Sequence, residues 1–324
     1  MEQSNQSRIV AVLGARWTLE VETEELSGLN VELVQDMGTS SEEIVACAKD
    51  AIAILAGSPP KFTRDVLSQL PSLKVIARYG VGVDKIDIQA ASELGITVTN
   101  LPDVFAEEVA THTVALVLGV MRKLVESHHL VKSGRWEVGP LKPMFSTEDQ
   151  VLGIVGLGNI GQAVARKAQA FGFEMLIYDP YLSPEVLAKF NAESVDLETL
   201  LTRSDIVALT APHTEETHHL INEAALKKMK STAFVVNTSR GGLIDESALG
   251  KGLAEGWIAG AGLDVMENEP VEAERQLLQS EKLIVTPHTA WYTEQAMIRM
   301  RRLACQEVAR ILKGENPIHV VNPD

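Results

Sequence analysis

Three segments of the chain carry side chains that could act together on a small acid. Arg240 follows the apolar run 233–236, a group of acids follows 258–263, and His288 follows 283–286. The acids are Asp264, Glu267 and Glu269. Hydride transfer to a 2-oxo acid needs a proton donor for the carbonyl oxygen and a cation for the carboxylate, for which arginine is well suited. A carboxylate beside an imidazole raises the imidazole's pKa and fixes its tautomer, so these residue types are sufficient for that reaction.

Each of these residues, taken alone, also has a structural explanation. Arg240 could bond loop carbonyls at the surface, acids before a proline often serve turns, and histidines at strand ends are usually structural. Their common position favours a site, because ligands of open α/β sheets bind beyond the carboxyl ends of the strands. The spacing alone does not decide which of Glu267 and Glu269 is the partner of His288.

A glycine-rich motif in the middle of the chain predicts a dinucleotide site. Gly156, Gly158 and Gly161 form the pattern G-x-G-x-x-G between a strand pattern and a helical pattern. The first glycine permits a tight turn, the second lets backbone N–H groups approach a pyrophosphate, and the third lets the helix pack closely on the strand. Asp179 follows about 20 residues later, where an acid binds ribose hydroxyls and repels a 2′-phosphate, which favours NAD over NADP. The alternative, a tight turn without a ligand, does not account for this complete context.

Two series of apolar runs separated by helical patterns predict an α/β fold with two doubly wound parallel sheets. The runs are 9–13, 31–34, 51–56, 74–77 and 96–98, and then 151–155, 174–178, 206–209, 233–236, 258–263 and 283–286. Between the two series, the broad apolar surface of 114–121 predicts one long buried helix, with Asp103 as N-cap and Gly134 as its stop. A last helix is predicted from Thr293 to Lys313, ended by Gly314.

The composition is that of a globular protein and argues against several kinds of partner. The chain has 324 residues, of which 45% are hydrophobic and 23% charged, and is long enough for two domains. Its formal charge of −15 predicts that it binds neither nucleic acid nor an anionic membrane. No apolar stretch reaches the roughly 18 residues of a membrane span, and we expect no signal peptide. Two cysteines form no disulfide framework, which favours a cytoplasmic location.

Six segments of the chain together resemble the D-isomer-specific 2-hydroxyacid dehydrogenase family over nearly the whole length. They are "RYGVGVDKIDI" (78–88), "GIVGLGNIG" (153–161), "THHLINEAALKKMK" (217–230), "VVNTSRGGLIDESAL" (235–249), "AGLDV" (261–265) and "TPHTAWYTE" (286–294). The tryptophan after His288, with "YDPYL" at 178–182, makes the chain most similar to the branch related to the C-terminal-binding-protein corepressors.

The resemblance implies roles for individual residues. In the implied catalytic triad, Arg240 holds the substrate carboxylate, His288 is the acid/base and Glu269 is its partner. The NAD site that it implies comprises Gly156, Leu157, Gly158, Asn159, Ile160, Gly161, Asp179, Thr210, Ala211, Pro212, Thr238, Ser239, Asp264 and Thr113. Within this set, 210–212 line the nicotinamide side and Asp264 contacts the carboxamide.

For the substrate, the resemblance implies a second group of residues in the first domain. The backbone of Tyr79, Gly80, Val81 and Gly82 would bind the carboxylate. Arg78 would assist there, the alternative being a strand-end arginine paired with an acid. Trp291 would form a wall of the substrate pocket, the alternative being simple packing.

The resemblance also implies the domain arrangement. A flavodoxin-like substrate domain would comprise 1–102 and 290–324, and a Rossmann NAD domain would comprise 103–289. A homodimer formed through the helix at 103–131 is usual for the family and agrees with the apolar surface of that helix.

The identity of the substrate is less constrained than the reaction. The loop "GSPPKFTRD" (57–65) has no arginine directly after its strand, which favours a small unphosphorylated acid such as glyoxylate or hydroxypyruvate over 3-phosphoglycerate. A different class, an NAD-sensing scaffold like the corepressor relatives, remains as an alternative that turnover would exclude. No metal is expected, because the neighbouring histidines 128–129 and 218–219 would point apart on a helix or strand. The sequence gives His112, His213 and His319 no partner and leaves them as structural residues.

Overall fold

The computed structural model describes residues 8–272 and 276–322, and the chain divides into two compact units. One unit comprises the residues up to Phe105 together with those from Thr293 onward, and the other comprises Ala106–Tyr292. These divisions fall a few residues after the expected boundaries at 102 and 289. No helix in the described part of the chain is both long enough and apolar enough to cross a bilayer.

The elements of the described residues alternate in the order expected for α/β units. The strands are β1 (Arg8–Leu13), β2 (Val31–Asp36), β3 (Ala51–Ala56), β4 (Val75–Arg78), β5 (Thr97–Thr99), β6 (Val151–Val155), β7 (Glu174–Tyr178), β8 (Ala192–Ser194), β9 (Ile206–Leu209), β10 (Phe234–Asn237), β11 (Gly260–Leu263) and β12 (Leu283–Val285). The helices are α1 (Glu20–Leu26), α2 (Ser41–Ala48), α3 (Arg64–Leu67), α4 (Ile88–Glu93), α5 (Ala106–Met121), α6 (Leu124–Lys132), α7 (Asn159–Gln169), α8 (Pro184–Leu187), α9 (Leu197–Arg203), α10 (Glu223–Lys228), α11 (Glu246–Glu255) and α12 (Glu294–Lys313).

The unit that contains both ends of the chain is built on a parallel sheet with the order β2-β1-β3-β4-β5. This is the flavodoxin-like order. Its central strand β3, "AIAILA", is almost entirely buried, as parallel strands covered on both faces require. The C-terminal segment returns to this unit, since α12 packs against α1 and β4 and the N–H of Val321 donates to the carbonyl of Val98 over 2.9 Å.

The other unit is built on a parallel sheet with the order β12-β11-β10-β9-β6-β7-β8. Leu152 and Ile154 point into a core shared with α5 and α7, whereas Val207 and Leu209 belong to a second core shared with α9, α10 and α11. The sheet is therefore covered on both faces. The strand order changes direction between β6 and β9, which is the switch point where dinucleotides bind in Rossmann folds.

The comparison with the sequence patterns confirms the α/β class and every predicted strand, with ends that shift by one or two residues. The short strand β8 was not predicted, because "AES" at 192–194 has no apolar run. The last helix is confirmed: Thr293 caps it by accepting the N–H of Ala296, and Gly314 ends it in the left-handed conformation (φ 79°).

The prediction of one long helix from Asp103 to Gly134 is wrong. The chain leaves α5 after Met121, and Lys123 adopts a left-handed conformation (φ 49°) before α6 begins. Asp103 lies in the turn before α5, which begins at Ala106. No glycine or proline marks the break, so the pattern of apolar residues gives no sign of it.

Candidate active site

The glycine-rich turn lies at the switch point of the seven-stranded sheet. Gly156 has φ 88°, and a Cβ there would come within 2.8 Å of the Cα of Ala211, so only glycine fits. The hydroxyl of Thr210 lies 2.6 Å from the carbonyl oxygen of Gly156, and the carboxylate of Asp179 accepts the N–H of Leu157 (Oδ2, 2.8 Å). The loops after β6, β7 and β9 thus hold one another in place.

The geometry of this turn fits a dinucleotide. The N-cap of α7 is Gly158, so no side chain caps the helix, and a Cβ placed on Gly158 would meet no atom within 4 Å. The first-turn N–H groups of a helix point out of its N-terminus, where the helix dipole favours negative charge. Asn159, Ile160 and Gly161 form this first turn, and the open space in front of it suits a pyrophosphate.

Three further predicted cofactor residues use their hydroxyls to connect neighbouring elements. The Oγ1 atoms of Thr113 on α5 and Thr238 after β10 lie 2.7 Å apart, and both side chains are buried. The hydroxyl of Ser239 donates to the carbonyl of Leu209 over 3.0 Å. The hydroxyls therefore fix the loops after β9 and β10, and the main chain of those loops lies along the sheet edge where the nicotinamide side is expected.

The structure distinguishes the two candidate acids that the spacing left open. Nδ1 of His288 lies 2.7 Å from Oε2 of Glu269, whereas Glu267 pairs with Nε2 of His219. The N–H of Met266 donates to Oε1 of Glu269 over 2.9 Å, which fixes the carboxylate. Because Nδ1 faces a carboxylate, it carries a proton, and Nε2 is the atom left to exchange a proton with a ligand.

The environment of Glu269 keeps it ionised. Burial by itself raises the pKa of Glu269, but hydrogen bonds from His288 and from the N–H of Met266, together with the charges of His288 and Arg240, outweigh it. The net result is a pKa below the ordinary carboxyl value. Glu269 therefore presents a fixed negative charge to the imidazole.

Arg240 stands in the loop after β10, next to the loop that carries Glu269. A Cβ on Gly241 would overlap main-chain atoms of Met266 and Glu267, so these two loops touch through a glycine. Oε1 of the buried Glu246 accepts the N–H of Glu267 over 2.5 Å and holds the second loop against α11. One Nη of Arg240 donates to the carbonyl of Ser239 (2.8 Å), which orients the guanidinium at the sheet edge.

The histidines at 213–219 correct one prediction. The rings of His218 and His219 stack with centroids 3.9 Å apart instead of pointing apart, because these residues lie in a turn and not on a helix or strand. His219 is in the left-handed conformation (φ 50°), which brings its ring back over its neighbour. His213, for which the sequence suggested no partner, lies with Nε2 3.0 Å from Nδ1 of His218.

Asp264 has a structural role that the sequence did not indicate. Its side chain is buried, and its oxygens accept hydrogen bonds from Thr286, Thr289 and Ala290 around His288. His112 on α5 in turn contacts Thr286. Sequence analysis missed the connection of His112 to the site because a helix and a strand end far apart in the chain give no common pattern.

The predicted substrate residues of the first unit form a tightly held turn. The guanidinium of Arg78 donates to the carbonyls of Ala56 (2.8 Å), Tyr79 (2.9 Å) and Gly82 (3.0 Å). The amide of Asn100 donates to the carbonyl of Val81 over 2.7 Å. The main chain of this turn is therefore fixed by side chains on both sides.

The side chain of Tyr79 points away from this turn into the core of its unit. Its hydroxyl donates to Oε1 of the fully buried Glu22 over 2.7 Å, and Arg301 binds the same carboxylate with Nε at 2.9 Å. Burial and the adjacent Glu22 charge hold the pKa of Tyr79 well above its ordinary value.

In the other unit, the ring of Trp291 packs edge-on against Tyr292 with centroids 5.5 Å apart.

Comparison with known proteins decides the family. The model for "D-isomer specific 2-hydroxyacid dehydrogenase, NAD binding domain" matches residues 114–290, which contain the glycine-rich turn, Arg240, Glu269 and His288. The chain belongs to this family. It is an NAD-dependent D-2-hydroxyacid dehydrogenase, and the resemblance noted in the sequence is confirmed at the level of the family. The particular similarity to the corepressor branch stays a prediction.

Relatives of this dehydrogenase differ in the acid that their names give. A glyoxylate reductase of Thermofilum pendens is 42% identical over 295 residues, which cover 90% of this chain and 87% of the relative. A D-3-phosphoglycerate dehydrogenase of Methanocaldococcus jannaschii is 40% identical over 286 residues, which cover 88% of this chain but 54% of the relative. The structure of a D-lactate dehydrogenase of Aquifex aeolicus, complexed with NAD and lactic acid, is similar with a TM-score of 0.87 and 30% identity over 97% of this chain and 99% of that one.

Proposed function

We propose that this dehydrogenase interconverts a small unphosphorylated D-2-hydroxy acid and its 2-oxo acid, with glyoxylate or hydroxypyruvate as the preferred oxo acids. The observation that carries the proposal is the 2.7 Å contact between His288 and an ionised Glu269, in a loop that touches the Arg240 loop. The glyoxylate reductase activity named for the Thermofilum relative supports the choice of substrate.

The proposed roles follow from the chemistry of the three side chains. NADH supplies the hydride. Arg240 binds the substrate carboxylate with its guanidinium and turns the carbonyl carbon towards the nicotinamide. Nε2 of His288 donates a proton to the carbonyl oxygen as charge develops there, and Glu269 holds the imidazole by Nδ1 in the orientation and charge state that this step needs.

The residues that the resemblance implies for the substrate supply the remaining contacts in this proposal. Main-chain N–H groups at 79–82 bind the carboxylate, with Arg78 holding the turn in shape, and Trp291 limits the size of the substrate's side chain. Arg64, the first arginine after the 57–61 loop in the sequence, pairs with Glu93 over 2.7 Å. An arginine bound to a carboxylate is a poor ligand for a phosphate, which supports an unphosphorylated substrate over 3-phosphoglycerate.

The proposal includes a cytoplasmic homodimer. α5 buries most of its apolar side chains within its own unit, so the broad surface that suggested a dimer is used for internal packing. α6 buries no residue, and Leu124, Val131, Val138 and Trp136 are exposed on it or just after it, Trp136 to 90%. Large apolar side chains exposed close together in the chain are typical of a protein interface, and in this proposal a second copy of the chain covers them.

Steady-state oxidation of NADH tests the function with glyoxylate, hydroxypyruvate, pyruvate, phenylpyruvate and 3-phosphohydroxypyruvate as substrates. We expect the highest kcat/KM with glyoxylate or hydroxypyruvate. His288→Ala is expected to leave the Kd for NADH nearly unchanged and to lower kcat by roughly 10²- to 10⁴-fold, the usual effect of losing a general acid.

Three outcomes would contradict the proposal. Near-normal turnover by His288→Ala would remove His288 from the mechanism. Tight NADH binding by the wild-type protein without turnover of any acid would favour a scaffold that senses NAD, and a preference for 3-phosphohydroxypyruvate would favour the phosphoglycerate dehydrogenase alternative.

A further inference from the structure

The segment that carries His288 is held by a single buried carboxylate. Asp264 follows β11 and its side chain is 1% exposed. Oδ1 accepts the hydroxyl of Thr286 (2.5 Å) and the N–H of Thr289 (2.9 Å), and Oδ2 accepts the N–H of Ala290 (2.9 Å). Residues on both sides of His288 therefore depend on one side chain.

His288 itself has a main-chain conformation that needs such support. Its φ of 53° lies in the left-handed region, where the Cβ of an L-residue comes too close to the following carbonyl oxygen. Its N–H donates to the main-chain carbonyl of Asp264 over 2.8 Å and lies 3.0 Å from the carbonyl oxygen of Thr286. The left-handed turn directs the imidazole towards Glu269, and without the bonds to Asp264 a right-handed or extended conformation would be favoured.

The direction of the hydrogen bonds extends this support to α5. Nε2 of His112 lies 2.9 Å from Oγ1 of Thr286. A threonine hydroxyl has one hydrogen, and a carboxylate oxygen can only accept, so the Thr286 hydrogen is committed to Asp264. Nε2 of His112 must therefore donate to Thr286, which gives a directed chain from His112 through Thr286 to Asp264.

The charge around Asp264 agrees with this chain. Nε2 of His112 also lies 3.5 Å from Oδ1 of Asp264, close enough for an ion pair when the imidazole is protonated. A buried carboxylate is stable only when several donors satisfy its oxygens. Loss of Thr286, or of the His112 donor that orients its hydroxyl, would leave this buried carboxylate with fewer donors, so it would no longer be fixed in front of the N–H groups of Thr289 and Ala290.

We infer that His112 and Thr286 are positioning residues for the acid/base histidine. Through Asp264 they fix the left-handed turn at His288, although neither belongs to the triad. The inference rests on the proposed function, in which His288 exchanges the proton with the substrate. It assigns a task to a histidine of α5 that lies more than 170 residues before the loop it supports.

Paired variants of Thr286 test the inference. Thr286→Val keeps the shape of the side chain and removes the hydroxyl, whereas Thr286→Ser keeps the hydroxyl. We expect Thr286→Val to lower kcat by about 10- to 100-fold, because a displacement near 1 Å of a catalytic group has effects of this size. The KM for the oxo acid should change little, since Arg240 binds the carboxylate, and Thr286→Ser should restore most of kcat.

Variants of His112 test the other end of the chain. His112→Leu removes the donor, and His112→Gln keeps an N–H donor at a similar reach. The double variant His112→Leu/Thr286→Val should be little worse than Thr286→Val, because both changes break one chain. Thr202→Val is the matched control, since the Thr202 hydroxyl donates to main-chain carbonyls of α9 and should leave kcat unchanged.

Hydrogen–deuterium exchange of the amides of Thr289 and Ala290 gives a readout that does not require turnover. We expect faster exchange in Thr286→Val and His112→Leu than in the wild type, Thr286→Ser or Thr202→Val. Unchanged exchange of these two amides in Thr286→Val would overturn the inference. So would a kcat of Thr286→Val within twofold of an active wild type, or a loss of kcat in Thr286→Val that is equally large in Thr286→Ser. A wild type without turnover would count against the proposed function alone, and the exchange rates would then decide the inference.

Discussion

The charge of Glu269 offers the sharpest test of the proposed mechanism, through the substitution Glu269→Gln. The amide keeps the size of the side chain but removes the negative charge beside Nδ1 of His288. In the proposed oxidation of a D-2-hydroxy acid, His288 accepts the proton of the substrate hydroxyl, and the imidazolium forms next to residue 269. The variant should therefore slow proton transfer more than it weakens substrate binding.

The size of the effect follows from the distance and the exposure of the pair. Two unit charges about 4 Å apart attract by about 1 kcal/mol in water and about 4 kcal/mol at an effective dielectric constant of 20. Because the side chains of His288 and Glu269 are 45% and 35% exposed, the pair lies nearer the first limit, at about 2 kcal/mol. A barrier raised by this amount lowers kcat roughly 30-fold.

The assay is the reduction of NAD by the D-2-hydroxy acid, with kcat and KM measured separately. Glu267→Gln is the matched control, because it removes a carboxylate two residues away that pairs with His219 and not with His288. An equal loss of kcat in Glu269→Gln and Glu267→Gln would refute the reasoning. It would mean that the total negative charge of the loop matters and not the contact of Glu269 with the imidazole. A kcat of Glu269→Gln within twofold of the wild type would refute it as well.

Two other substitutions test the cofactor site and the core of the first unit. Asp179→Ala should narrow the preference for NAD over NADP, measured as the ratio of the two kcat/KM values, because the charge that repels a 2′-phosphate is lost; an unchanged ratio would place the discrimination elsewhere. Glu22→Gln should lower the free energy of unfolding in urea at neutral pH by about 3–5 kcal/mol, because Arg301 is left buried without its counter-charge, and a loss below 1 kcal/mol would contradict this. Burial raises the pKa of Glu22, but hydrogen bonds from Arg301 and Tyr79 bring that pKa below the ordinary carboxyl value. The contribution of Glu22 to the free energy of unfolding is therefore fully present above the ordinary carboxyl pKa, and it is lost as the pH falls through the lowered pKa of the folded protein. The stability of Glu22→Gln should accordingly depend less on acid pH than that of the wild type.

Local patterns in the sequence were sufficient for the α/β class and for every strand of the described residues except β8. Parallel strands covered on both faces are short apolar runs, and Ala51–Ala56 or Ile206–Leu209 show this without any tertiary information. The glycine-rich turn was equally predictable, because Gly156 has a backbone conformation that other residues rarely adopt. The break at Lys123 was not predictable, since it depends on where the chain leaves the packed surface of α5 and not on a residue that breaks helices.

The arrangement of the proposed catalytic residues depends more on the tertiary structure than the fold class does. The sequence placed Arg240, Glu269 and His288 after successive strands, and the carboxyl ends of parallel strands meet at one edge whatever the details. It could not choose between Glu267 and Glu269 by spacing, because that choice depends on which carboxylate the folded loop turns towards His288. Nor could it connect His112 to Thr286, since a hydrogen bond between a helix and a strand end forms only when the two have packed. Local sequence thus determined which groups reach the site, and the packing of distant segments determined which of them touch.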